Sequence, residues 1–140
     1  MEEKIIHKEL SYKITGLLFK IHTELGRYCR EKQYGDALEK LLSLEKIEFE
    51  RERELPVPAI DNKLTNKVDF IVEDKIILEL KAKPIVQKED YYQTQKYLQA
   101  SGHKLGLMIN FRNKYLKPIR IIRINSYIGI GKFYGQTNSF

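Results

Sequence analysis

Tryptophan is absent, cysteine occurs once and proline four times in the 140 residues. A single thiol cannot close an internal disulfide, which excludes a disulfide-stapled secreted scaffold and favours a reducing compartment. Long apolar runs are missing too. Stretches such as Ile76-Ile77-Leu78 fall far short of the roughly 20 residues that span a bilayer, so no membrane partner is expected. The opening Met-Glu-Glu-Lys has neither the basic start nor the apolar stretch of a signal peptide, and a cytoplasmic location is the expectation. No Gly-rich loop of the P-loop or dinucleotide type occurs. His7, His22 and His103 lack metal-ligand spacing with one another or with Cys29, and no Ser–His arrangement suggests acyl transfer.

The other absence is of one sign of charge. No Asp or Glu follows Asp90. Residues 1–60 hold 11 Lys+Arg and 12 Asp+Glu, and residues 61–100 hold seven of each. Residues 101–140 carry Lys104, Arg112, Lys114, Lys117, Arg120, Arg123 and Lys132, so the net charge of +6 arises there. A one-signed segment of that length is an electrostatic footprint for a polyanion, nucleic acid first and anionic lipid second, or simply a solubilising surface.

What is present suits one globular domain. The chain is 42% hydrophobic and 31% charged, without internal repeats. Residues 1–126 are expected to form that domain, with 127–140, rich in Gly, Asn, Ser and Gln, as a poorly ordered tail. Ile6, Leu10, Ile14, Leu17, Leu18, Ile21 and Leu25 recur at helical spacing and Gly26 is a stop. A second helix carries Tyr34, Ala37, Leu38, Leu41, Leu42 and Leu44. Ile47–Glu50 alternates as a strand does, ended by Pro56 and Pro58, and Asp61-Asn62-Lys63 reads as a turn. Val68–Val72 and Ile76–Leu80, joined by Glu73-Asp74-Lys75, read as a hairpin. A helix over 88–100 ends at Ser101-Gly102, and Leu105–Ile109 and Ile119–Ile124 are further strands. The order α-α-β-β-β-α-β-β predicts an α/β fold, a mixed central sheet flanked by helices.

Chemistry concentrates in Ile76-Ile77-Leu78-Glu79-Leu80-Lys81-Ala82. Alternation puts Glu79 and Lys81 on one face and Leu78 and Leu80 on the other. The hairpin brings Asp69 opposite or diagonal to Glu79, within cross-strand reach. Two converging carboxylates repel unless a cation lies between them, and hard oxygen ligands suit Mg²⁺ or Mn²⁺. On spacing alone, Glu79 and Lys81 read first as the wet side of an ordinary amphipathic strand, since acid-x-Lys is a common triplet.

At these residues the sequence resembles the PD-(D/E)XK nuclease superfamily, with an acid on one strand and (D/E)-x-K on the next. More narrowly it is similar to the small GxxExxY proteins, over roughly residues 5–124. The matching words are Leu10–Ile14, His22–Gly26, Glu31 with Tyr34 and Ala37-Leu38, and Lys67-Val68-Asp69. Further along they are Glu79-Leu80-Lys81, Gln93, Tyr97-Leu98, Ala100-Ser101-Gly102 and Gly106–Phe111. The first glycine of GxxExxY falls on Tyr28, while Gly26 is kept, and Val68 stands where the superfamily has proline.

The resemblance implies a restriction-endonuclease-like core and a metal-dependent nuclease. Asp69, Glu79 and the Leu80 carbonyl would ligate Mg²⁺ or Mn²⁺, and Lys81 would orient water or steady the phosphate. Glu31 would be an extra ligand or a water-positioning acid, and Gln93 would touch phosphate or solvent. Nucleic acid, DNA before RNA, is the expected partner, held by Lys104, Arg112, Lys114, Lys117, Arg120 and Arg123; a homodimer stays open. The rivals are a nucleic-acid-binding module without chemistry and a protein-interaction domain.

Overall fold

The computed structural model describes residues 5–55 and 67–124. The proline stop, the turn at 61–63, Lys132 and the tail 127–140 lie outside the described residues. Helix α1 spans Lys8–Leu25 and α2 Glu31–Leu44. Strands β1, Phe49–Glu54, β2, Lys67–Val72, and β3, Ile76–Lys81, follow, then α3, Lys88–Ser101, β4, Leu105–Asn110, and β5, Ile119–Ile122. The element order is the one expected from the sequence.

Local chemistry accounts for the boundaries. Gly26, at φ 78°, ends α1, and Gly102, at φ 81°, ends α3 in the left-handed region that favours glycine. Helix α3 starts where the Asp90 carboxylate accepts the Gln87 N–H at 2.8 Å. Glu73 and Asp74, both left-handed, close the β2–β3 hairpin.

The sheet runs β1-β2-β3-β4-β5, antiparallel except for the parallel β3–β4 pair, between which α3 crosses over. On one face Ile14, Leu18, Tyr34 and Leu38 pack on Phe70, Leu78, Leu80 and Leu107. On the other Tyr91, Tyr97 and Leu98 pack on Ile71, Ile77, Met108 and Ile121. The helices thus cover both faces, α1 and α2 one and α3 the other. Leu78 and Leu80 face α1 and α2, as alternation predicts.

Strand β1 differs from expectation, beginning two residues later and running to Glu54. Its inward position beyond Phe49 is filled by Arg51, which no apolar pattern registers. The Arg51 guanidinium lies 5.4 Å from the Phe70 ring centre and bonds Asp36 at 2.7 Å and Glu39 at 2.8 Å.

Candidate metal and phosphodiester site

Residue pairing places the two expected acids together. β2 and β3 pair from Val72↔Ile76 to Phe70↔Leu78, so the same register sets Asp69 opposite Glu79. There the backbone ladder stops and side chains replace it. The Asp69 carboxylate accepts the Leu80 N–H at 2.7 Å, and the Glu79 carboxylate accepts the Asp69 N–H at 3.1 Å. Burial sides change at the same point. Phe70 and Val72 pack towards α1 and α2, whereas Val68 packs on the α3 side. The strands open at Asp69, and the two carboxylates fill the opening.

Glu79 is only 4% exposed, so it is not the wet side of a strand. Burial and then the negative charge of Asp69 push its carboxyl up to about 8. Asp69 is also raised, by burial first, with the Leu80 N–H pulling down and Glu31 pushing up. Among the described residues neither acid has an ion-pair partner within 4.0 Å. The positive charge of Lys81 is nonetheless felt at both acids and favours their ionised forms. A half-buried and a buried carboxylate on facing strand positions form an oxygen donor set suited to a hard divalent ion.

Glu31, at the first position of α2, is exposed and shares a cleft of about 230 Å³ with Lys32, Gly35, Arg51, Glu52, Asp69, Phe70 and Leu80. Its charge raises both Asp69 and Glu79. Among the described residues, however, no three His, Cys, Asp or Glu converge to hold an ion, so Glu31 stays outside the Asp69–Glu79 pair. Gln93 is half-buried on α3, one helical turn before Tyr97. The Tyr97 phenol is pushed up to about 12, by burial and then by the charges of Glu79 and Asp69.

Several residues at this end carry no local signal in the sequence. Asp90 is 8% exposed and lies 3.6 Å from the Lys81 ammonium and 2.6 Å from that of Lys83. Burial works against its charge, but the Gln87 N–H and the two lysines hold its carboxyl below the usual range. Asn110, at the end of β4, clamps the chain after β3: its amide donates to the Lys83 carbonyl at 2.7 Å and its oxygen accepts the Lys83 N–H at 3.1 Å. The signal, visible only with the fold, is that β3 and β4 are parallel and end together at Lys81↔Asn110.

The basic residues divide by end. The loop 111–118 leaves β4 at the site end and carries Arg112, Lys114 and Lys117. Lys104 precedes β4 and Arg123 follows β5 at the opposite end, where Arg123 donates to the Gly102 carbonyl at 2.7 Å. Arg120 is tied to α1, donating to Ser11 Oγ at 2.9 Å and to the Ile6 carbonyl at 2.7 Å.

A model of the PD-(D/E)XK nuclease superfamily matches residues 8–124. No curated protein matches the chain. Among solved structures, SSO0001 aligns with a TM-score of 0.54 at 18% identity, covering 69% of this chain and 51% of its own. The chain thus spans about half the length of that protein, and the likeness is one of fold. An alkaline exonuclease (LHK-Exo) from Laribacter hongkongensis aligns with a TM-score of 0.48 at 15% identity, covering 97% of this chain and 78% of its own. The mixed five-stranded sheet flanked by helices is a restriction-endonuclease-like α/β core.

Proposed function

The chain belongs to the PD-(D/E)XK nuclease superfamily, and from that membership we propose that it hydrolyses phosphodiester bonds of nucleic acid, DNA before RNA, with Mg²⁺ or Mn²⁺. We place it further among the GxxExxY proteins, on the motif words from Glu31 to Phe111. The observation that carries the reading is the Asp69–Glu79 pair: a half-buried and a buried carboxylate joined through each other's backbone, with the charge of Lys81 acting on both.

Asp69, Glu79 and the Leu80 carbonyl would hold the cation. When bound, it supplies Lewis acidity towards phosphate and makes water acidic enough to attack near neutral pH. Lys81 holds the attacking water or offsets charge growing on the phosphate oxygens. Asp90 fixes where the Lys81 and Lys83 ammonium groups stand. Gln93, one helical turn before Tyr97 on α3, would touch phosphate or solvent at the site. Glu31 acts from the cleft mouth on solvent entering the site. Arg112, Lys114 and Lys117 hold the phosphate backbone at this end, positioning it without reading sequence.

A screen of divalent cations on mixed DNA and RNA substrates tests the reading. Wild type is expected to cut with Mg²⁺ or Mn²⁺, and Asp69→Ala, Glu79→Ala and Lys81→Ala to retain binding and lose cutting. Cutting that persists in all three variants overturns it. Wild-type binding without cutting under any cation leaves a binding module.

A further inference from the structure

Tyr28 takes the place of the first glycine of GxxExxY, and no part of the reaction described above uses it. The residue is 74% exposed. A single exposed aromatic is ordinary on a protein surface. Three features set this one apart.

First, the turn that displays it is held from inside. The hydroxyl of Tyr34, a fully buried residue, donates to the Gly26 carbonyl at 2.6 Å and accepts the Cys29 N–H at 3.1 Å. One buried group thus grips the chain on both sides of Tyr28. Tyr34 in turn stacks on Phe111 with ring centres 4.0 Å apart. Second, two guanidinium groups lie over the Tyr28 ring, Arg27 at 5.1 Å and Arg112 at 5.7 Å. The Arg27 guanidinium is also tied to the backbone of the other residue, its Nε donating to the Arg112 carbonyl at 2.7 Å. Third, the assembly is fastened to the site. Arg112 donates to the Ala82 carbonyl at 3.2 Å, and the Phe111 N–H donates to the Lys81 carbonyl at 2.9 Å. Glu31, three residues beyond Tyr28, lines the cleft that Asp69 lines.

We propose that Tyr28, with Arg27 and Arg112, is a stacking platform for one unpaired base at the rim of the site, which makes the substrate single-stranded or frayed nucleic acid. The inference rests on the nuclease reading for its substrate class. An aromatic face accepts any base, and neighbouring guanidiniums both stack and neutralise the adjoining phosphate. A base paired inside a duplex has its faces covered by its neighbours and cannot reach the ring. The backbone that carries the ring is held by the Tyr34 hydroxyl before binding, which lowers the ordering cost when the base lands.

Fluorescence anisotropy in metal-free buffer tests this with labelled oligo-dT, oligo-U, a blunt DNA duplex and an abasic strand. Tyr28→Ala is expected to weaken oligo-dT and oligo-U binding roughly 5- to 150-fold, the worth of one stacked base. Duplex and abasic binding are expected not to change, and Tyr28→Phe to keep wild-type affinity for the single strands. Loss on one of the two single strands alone also supports the platform and identifies the sugar it accepts. Equal loss on the duplex and the abasic strand, or no loss on either single strand, overturns it. Oligonucleotide binding that depends on Tyr28 without cutting under any divalent cation removes the nuclease reading and leaves the platform. Cutting by a Tyr28→Ala protein that binds as tightly as wild type removes the platform alone.

Discussion

Glu79 sits in the opening of the β2–β3 hairpin with 4% of its surface exposed, against a second carboxylate. Its proton is held more tightly in the folded, metal-free protein than in the unfolded chain, because its carboxyl is raised from 4.5 to about 8. The stability it contributes is therefore full below 4.5 and is lost as pH rises through about 8. The melting temperature of metal-free protein should fall across that window, more steeply than that of Glu79→Gln. Mg²⁺ at the upper end should restore wild type and not the variant; parallel melting curves for the two would contradict this. Asp90 yields a second prediction at this scale. Asp90→Asn keeps an acceptor for the Gln87 N–H but releases Lys81 and Lys83. Since small misplacements of a reacting group cost up to about 100-fold, kcat should drop about 10- to 100-fold. KM and melting temperature should stay near wild type, and a drop in melting temperature that tracks the lost activity would mark a purely structural role.

At the scale of elements, much was legible because apolar spacing survives wherever an element packs on the core. Helices α1, α2 and α3 and the β2–β3 hairpin follow the residues that their periodicity marks. Strand β1 does not, because Arg51 occupies an inward position with its head on Asp36 and Glu39. Asp69, Glu79 and Lys81 were visible as charges inside apolar strands. Asp90 reads locally as a helix-starting acid and Asn110 as a strand-ending amide. Their work depends on partners in sequence-distant elements, Lys81 and Lys83 for one and Lys83 for the other, which only the parallel β3–β4 register brings near. The same register brings α3 close to β4. A Cβ on Gly106 would stand 2.9 Å from the Thr94 methyl, and Thr94 is buried. Gly106→Ala should therefore destabilise the fold by about 1–3 kcal/mol, the usual cost of overpacking. Denaturant unfolding checks it, and unchanged stability would mean that α3 and β4 separate freely.

For the whole molecule, sequence order grouped all the acid-free bases together, and folding separates them. Antiparallel β5 returns the chain to the far end, so Lys104 and Arg123 lie away from Lys81 while Arg112, Lys114 and Lys117 lie near it. Removing Lys114 and Lys117 together should lower the salt slope of DNA binding by about 1.4–1.8, since each phosphate contact contributes about 0.7–0.9. Lys104→Ala should leave the slope as it is. Identical slopes for the double variant and wild type would move the nucleic-acid path elsewhere.

All three scales meet in the claim that Asp69 and Glu79 hold a cation that makes the protein a nuclease. The most direct measurement is cleavage rate against Mn²⁺ concentration for wild type, Asp69→Asn and Glu79→Gln on one labelled single strand. A saturable rise in wild type, absent from both variants although each still binds the strand, is the predicted result. Equal cleavage by either variant, or cleavage by wild type without any divalent cation, would contradict it.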